Sequence, residues 1–169
     1  IHDLPKPEEV TNEQNDYIFS VFTSLKYAAR ENNFSLTNGV PSIIDIPTFV
    51  DFMLSNELAS NPDAYQFSTY FHKDRDGKLR AGPIWDFNLT YGNDLFLWDY
   101  DRSHYDVWQF SDGGNDGPKF WTDLYNNPIY KCYLSRRFND LIQEGKPMNY
   151  NGLNTFIDIT IATIAEASA

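Results

Sequence analysis

The chain has 169 residues, 41% of them hydrophobic and 17% aromatic, which is enough apolar mass for one domain with a sizeable core and unlike a disordered polymer. A net charge of -11 and a pI near 4.5 exclude general binding to nucleic acid or to anionic membranes, which needs clustered Lys and Arg. The single cysteine, Cys132, leaves no internal disulfide and no cysteine-based zinc site, and no apolar run reaches the roughly 20 residues of a membrane-spanning helix.

Residues 1–10 carry Pro5 and Pro7 and read as an extended lead-in. Thr11 and Gln14 have the spacing of a capping box, and Ile18, Val21, Phe22, Leu25, Ala28 and Ala29 then recur at helical spacing, predicting a helix over 12–31 that ends at Asn32-Asn33. Asp45 is placed to cap a second helix over 47–59. Pro47 sits in its first turn, and Phe49, Val50, Met53, Leu54 and Leu58 form its apolar stripe. That helix leaves Asn56 and Glu57 on its last turn and Asn61 and Asp63 in a polar loop.

A β-hairpin is expected over 67–87. Phe67, Thr69 and Phe71 alternate with Ser68, Tyr70 and His72, and Asp76-Gly77 supplies a turn that favours positive φ. Pro83 has no amide hydrogen and marks an edge or the end of the ladder. Asp74-Arg75-Asp76-Gly77 is a fragment of a calcium-loop pattern without its remaining acidic ligands, so a hairpin turn is the better reading. Residues 93–118 are the least regular. Their aromatics, among them Phe96, Trp98, Tyr100, Tyr105, Trp108 and Phe110, are expected mostly as a core layer, with an exposed subset able to stack on sugars or grip a partner. His104 has no His or Cys neighbour, and Gly117 reads as a source of flexibility.

Pro118 is placed to start a helix through Phe120, Trp121 and Leu124. Asn127 and Pro128 open the next, over 129–143, with Ile129, Cys132, Tyr133, Arg136, Phe138 and Leu141 along it and Cys132 as a small buried group. Arg136-Arg137 reads as an acid-pairing or surface feature. Asn151 is taken as the cap of a last helix over 152–166, apolar on more than one face. The ends at Ile1 and Ala169, the second inside a helical pattern, make a piece of a longer protein the expectation.

The hairpin separates two acids that can be near in space if it folds back, Asp63 before it and Asp86 after it. Phosphoryl transfer uses two such carboxylates, one for Mg²⁺ on the nucleotide phosphates and one to orient the attacking hydroxyl. Taken singly, an Asp after a strand is commonly a turn or cap residue, and Trp85 and Phe87 read as core. The ordered set Asn56-Glu57, Asn61-Pro62-Asp63, the hairpin, and Pro83-Ile84-Trp85-Asp86-Phe87-Asn88-Leu89-Thr90-Tyr91-Gly92-Asn93 resembles the CotH-type kinases, the spore coat protein H family.

The resemblance implies an atypical protein-kinase-like fold, here α+β and mainly helical, with 1–169 as a single domain forming the C-terminal lobe. It implies ATP and Mg²⁺ as cofactors, a protein substrate or surface partner, and an extracellular or cell-surface location. Residue by residue, Asp86 matches the family's metal-binding Asp and Asp63 its catalytic-loop Asp. Asn56, Glu57 and Asn61 support that loop. Asn88 stands where many relatives carry a second Asp and Ser68 where many carry an Asn. Both are secondary metal contacts that hold Mg²⁺ less firmly. No Walker loop, no Gly-x-Gly-x-x-Gly and no strand Lys with a helix Glu is identifiable, as expected if the N-terminal lobe lies outside this chain. The competing reading is a kinase-like surface module without activity that uses its aromatics to hold a protein or glycan. An upstream Lys–Glu pair and phosphate-covering loop would discriminate the two.

Overall fold

The computed structural model describes residues 4–93, 105–112 and 114–167. Phe96, Trp98, Tyr100 and His104 lie outside the described residues.

Helix α1 (Asn12–Arg30) opens on the expected capping box: Thr11 Oγ1 accepts from the Gln14 amide at 3.3 Å, and Gln14 Oε1 accepts from the Thr11 amide at 2.9 Å. It closes in a Schellman turn. Asn32 adopts φ 53°, its amide reaches the Ala29 carbonyl, and the Asn33 amide reaches the Ala28 carbonyl. After the short α2 (Val40–Ile43) comes α3 (Ile46–Leu58), where Asp45 accepts from the Thr48 amide at 3.2 Å and Pro47 lies in the first turn. Strands β1 (Phe71–His72) and β2 (Arg80–Ala81) pair antiparallel, Phe71 opposite Ala81 and His72 opposite Arg80. A parallel bridge from Ile44 to Leu79 fastens the hairpin to the start of α3. Helices α4 (Phe120–Asn126), α5 (Pro128–Leu141) and α6 (Tyr150–Ala167) complete the order. Asn127 caps α5 by accepting from the Ile129 and Tyr130 amides.

The core forms where α1 packs on α4 and α3 on α5. Trp121 is its centre, with the rings of Phe49, Phe52, Tyr65, Phe71 and Phe120 all within 6.2 Å of it, centroid to centroid. Each such side chain contributes about 1.5–3 kcal/mol by burial, and favourable ring geometry about 0.5–1.5 kcal/mol more. The loop residue Tyr65 and the strand residue Phe71 therefore anchor the loop and hairpin on the helices. The architecture is α+β and mainly helical, with one small two-stranded sheet among the described residues.

Several sequence expectations need correction. The ladder is shorter than 67–87: Gly82 donates to the Tyr70 carbonyl as pairing ends, and Ser68 at φ 44° breaks the extended geometry before β1. The turn closes by Gly77 N–H to Asp74 O at 3.1 Å without Gly77 entering the positive-φ region, so its value there is not left-handed freedom. Trp85 is not core but 60% exposed. The buried face of α5 is Tyr130, Leu134 and Leu141, so the inferred stripe was rotated. Cys132 is exposed, as are Ile129, Tyr133 and Phe138. Helix α4 begins at Phe120, its first turn closing on the Pro118 carbonyl. Asn149 rather than Asn151 caps α6, because its Oδ1 accepts from the Gly152 amide at 3.1 Å. Phe156, Ile157, Ile159 and Ile161 of α6 are exposed, yet no described helix is long and apolar enough to cross a membrane.

Candidate active-site loop

Helix α3 ends in a second Schellman turn, and this sets the site. Ser60 takes φ 45° and donates to the Glu57 carbonyl, while the Asn61 amide reaches the Asn56 carbonyl at 3.0 Å. The turn drives Asn61 inward, where it is buried. Its Nδ2 donates to Asn56 Oδ1 at 2.9 Å and its Oδ1 accepts from the Asp63 amide at 3.2 Å. Asn56, also buried, donates in turn to the Phe52 carbonyl. The backbone at Asp63 is thus held from the body of α3 through two buried amides. Asn56 and Asn61 are both buried, and their amides join the end of α3 to the loop backbone.

Glu57 braces the same loop from the other face of the helix end. Its Oε1 accepts from the Tyr65 hydroxyl at 2.7 Å and its Oε2 from the Gln109 amide at 2.8 Å. One carboxylate therefore ties α3 to the loop and to the segment after the hairpin. Burial holds the Glu57 carboxyl above the ordinary range, with the Tyr65 hydroxyl and the Gln109 and Phe110 amides pulling it part of the way back. The Tyr65 hydroxyl is pushed well up, first by burial and then by the negative charge of Glu57.

A third brace comes from residues 115–117. Asn115 Nδ2 donates to the Ala64 carbonyl at 2.8 Å, and the Asp116 amide donates to Gln66 Oε1 at 3.0 Å. Gly117 is a close-approach glycine, not a hinge: a Cβ there would lie 2.8 Å from Tyr65 Cβ. Nothing in the sequence pointed to Tyr65, Gln109 or Asn115, because each bond crosses between segments without periodicity. The glycine at 117 was the one available signal.

The loop then reaches Asp86. The Phe67 amide donates to the Asp63 carbonyl at 2.9 Å, and the next residue, Ser68, donates from Oγ to Asp86 Oδ2 at 3.2 Å. The structure brings Ser68 and Asp86 together, and Asp63 is linked to them through one turn of chain. Asn88 is exposed in the following turn, where its carbonyl accepts from Asn93 Nδ2 at 2.7 Å. No hydrogen bond of the structure joins its side chain to Ser68 or Asp86. Two grooves of about 360 and 410 Å³ lie along α3 and α5, the first lined by Glu57, Leu58 and Trp108 and the second by Asp51 and Arg136. Neither is lined by Asp63, Ser68 or Asp86; Asp63 and Ser68 are half-buried and Asp86 is exposed.

Five non-glycine residues between 60 and 91 have left-handed backbones: Ser60, Tyr65, Ser68, Asp86 and Tyr91. Such conformations cost energy and collect where function over-determines the backbone.

The donor set is small. Among the described residues no group of three or more His, Cys, Asp or Glu is arranged to hold an ion. Asp86 with the Ser68 hydroxyl offers one carboxylate and one neutral oxygen. That is too little for a site built from protein alone, but suits Mg²⁺ that keeps its waters and is carried largely by phosphate oxygens.

Comparison with curated proteins and with solved structures yields no match to either. The family described as CotH kinase protein matches residues 2–167, nearly the whole sequence and all of the loop, hairpin and Trp-Asp-Phe-Asn segment. On that match the chain belongs to the CotH kinase family.

Proposed function

We propose that the intact protein is a CotH-like kinase that transfers phosphate from ATP to a hydroxyl on a protein. This chain supplies its C-terminal, kinase-like lobe, as a single domain over 1–169. Family membership supports the reaction class. The observation that carries the residue roles is the continuous link from the braced Asp63 through Phe67 to the Ser68–Asp86 contact. Asp86 would hold the metal, with Ser68 and Asn88 as the candidate secondary, neutral contacts. Mg²⁺ supplies neutralisation of the phosphate charge. Asp63 orients the acceptor hydroxyl and takes its proton. Asn56, Asn61 and Glu57 act through the loop and do not touch the reacting atoms.

The neutral residues at 68 and 88 favour a second reading, a family member with weak or no transfer that serves as a surface binding module. The test uses the full-length protein. Asp86→Asn should weaken Mg²⁺-dependent ATP affinity and abolish transfer. Asp63→Asn should leave ATP affinity near that of the parent and lower transfer by about a hundredfold to ten-thousandfold. Each variant must keep the parent's thermal midpoint. If both transfer phosphate like the parent, the two carboxylates are structural and the binding-module reading stands in place of the enzyme.

A further inference from the structure

Three consecutive peptide planes run from Pro62 to Tyr65, and every polar group in them is bonded within the protein. In the plane before Asp63, the Pro62 carbonyl accepts from Gln66 Nε2 at 3.1 Å and the Asp63 amide donates to Asn61 Oδ1 at 3.2 Å. In the plane after it, the Asp63 carbonyl accepts from the Phe67 amide at 2.9 Å and the Ala64 amide donates to the Asn61 carbonyl at 3.2 Å. In the next, the Ala64 carbonyl accepts from Asn115 Nδ2 at 2.8 Å and the Tyr65 amide donates to Thr69 Oγ1 at 2.9 Å. Asn61 ties this stretch to α3, whereas Phe67 and Thr69 belong to the loop itself. A second anchor comes from far along the chain. Asn115 reaches the Ala64 carbonyl directly, and the Asp116 amide donates to Gln66 Oε1 at 3.0 Å, so Gln66 bridges residue 116 to the Pro62 carbonyl. Asn115 is fixed in turn, its Oδ1 accepting from the Gly117 amide at 2.8 Å and its own amide donating to the Asp112 carbonyl.

We infer that Gln66 and Asn115 are positioning residues for Asp63, holding the carbonyls on either side of it against residues 115–116 and so fixing the direction of its carboxylate. Asp63 has an acceptor hydroxyl to face only under the phosphoryl-transfer reading, on which this inference rests. The physical reason is that peptide groups are planar, so the two planes that meet at a Cα set the direction of its side chain. A loop anchored through Asn61 alone can pivot about that point. The second anchor, on the Pro62 and Ala64 carbonyls, removes the pivot. Pro62 and Ala64 are buried and Asp63 between them is half-buried, so of the three it is Asp63 that reaches the surface. Direction matters for a group that takes a proton in the transition state, because a misplacement of about 1 Å can cost on the order of a hundredfold in rate.

The experiment measures phosphoryl transfer and ATP affinity in full-length protein carrying Gln66→Ala or Asn115→Ala, each of which removes a donor without adding charge. Assays run well below the thermal midpoint of the least stable variant, so that lost folding does not enter the rate. Asn127→Ala is the stability control, because it removes the cap of α5 and leaves the Asp63 loop alone. Gln66→Ala and Asn115→Ala should each lower kcat by up to about a hundredfold while KM and Kd for ATP stay near the parent's values. Asn127→Ala should keep the parent's kcat. Residues that act through Asp63 have nothing left to position once its charge is gone, so neither substitution should lower kcat further in an Asp63→Asn background. Parent-like kcat in both variants overturns the inference, and so does a loss that multiplies undiminished onto that of Asp63→Asn. An equal fall in kcat for Asn127→Ala overturns it as well, since the rate then follows stability. A parent that transfers no phosphate overturns the kinase reading and the positioning role together, whereas a parent that transfers and is matched by both variants overturns the positioning role alone.

Discussion

The bond between Glu57 and Tyr65 offers the sharpest test of how the site is held, because it joins a helix end to a loop eight residues on. The Tyr65 hydroxyl donates to a carboxylate at 2.7 Å in a setting dry enough to raise the carboxyl pKa. Charge-assisted bonds of this kind contribute about 1.5–3 kcal/mol, against about 1 kcal/mol for a neutral bond. Tyr65→Phe removes the donor and leaves Glu57 with the Gln109 and Phe110 amides, so a loss of about 2–3 kcal/mol is expected. Glu57→Gln keeps an acceptor for the Gln109 amide and turns an NH₂ toward a hydroxyl that can rotate to accept. Its cost should be smaller, about 1–2 kcal/mol. In the Gln background Tyr65→Phe removes only a neutral bond.

The double-mutant cycle should therefore show coupling of about 1–2 kcal/mol. The assay is urea unfolding of the four proteins, with unchanged m-values as the condition for comparing them. Coupling within about 0.5 kcal/mol of zero, the range seen for independent sites, would refute the brace. The packing of Tyr65 against Trp121, at 5.0 Å between centroids, is untouched by Tyr65→Phe, so lost aromatic contact cannot explain a deficit.

Further outcomes follow from the same geometry. Because burial raises the Glu57 pKa, the unfolded chain loses this proton first as pH climbs, and the folded chain binds more protons in that window. The stability of the parent relative to Glu57→Gln should be fullest below the ordinary carboxylate pKa and decline as pH rises through the raised value. Parallel urea-midpoint profiles for the two proteins would contradict this. Asn61→Ala orphans the buried Asn56 Oδ1 and the Asp63 amide, so unfolding should cost about 2–4 kcal/mol less, read by urea titration. Gly117→Ala should destabilise by about 1–3 kcal/mol in the same assay, since its Cβ would sit 2.7 Å from Asn115 Oδ1 and 2.8 Å from Tyr65 Cβ. Calorimetric titration of this chain by itself with ATP and Mg²⁺ should show very weak or no binding, given one carboxylate and a hydroxyl at the candidate metal position.

Helix ends were the most legible part of the sequence because capping is local. Thr11 with Gln14, Asp45 with Pro47, and Asn127 with Pro128 each satisfy orphan amides within three residues, and all three open helices as expected. Faces were less legible. In α5 apolar residues stand on several sides, so periodicity could not choose between a stripe through Cys132 and the true one through Tyr130 and Leu134. The hairpin's existence could be read, but not its length, since left-handed Ser68 lies inside an alternating pattern that gives no sign of it. Trp85 was misjudged because hydrophobicity carries no record of which apolar residues a surface leaves uncovered. At the site, the residues near Asp63 could be picked out, whereas the braces from Tyr65, Gln109 and Asn115 join segments whose proximity only the tertiary fold creates.

The strained backbone explains why so many braces converge on one short loop. Five left-handed residues at about 1 kcal/mol apiece consume as much free energy as the lower end of a small domain's net stability. Such a loop would relax unless each strained position were fixed by a bond that relaxation breaks. Each one is. Ser60 closes the Schellman turn of α3, and Tyr65 binds Glu57. Ser68 and Asp86 bind each other, and the Tyr91 amide donates to the Ala59 carbonyl at 2.7 Å. The bonds at Ser60, Tyr65 and Tyr91 all end on residues 57–59, the last turn and cap of α3. That helix end is therefore the fixed point from which the loop and the segment after Asp86 are both positioned. Its own position is set by Phe49, Phe52 and Met53 in the core, so the core packing of α3 underlies the placement of the loop at 60–65 and of Tyr91 beyond Asp86.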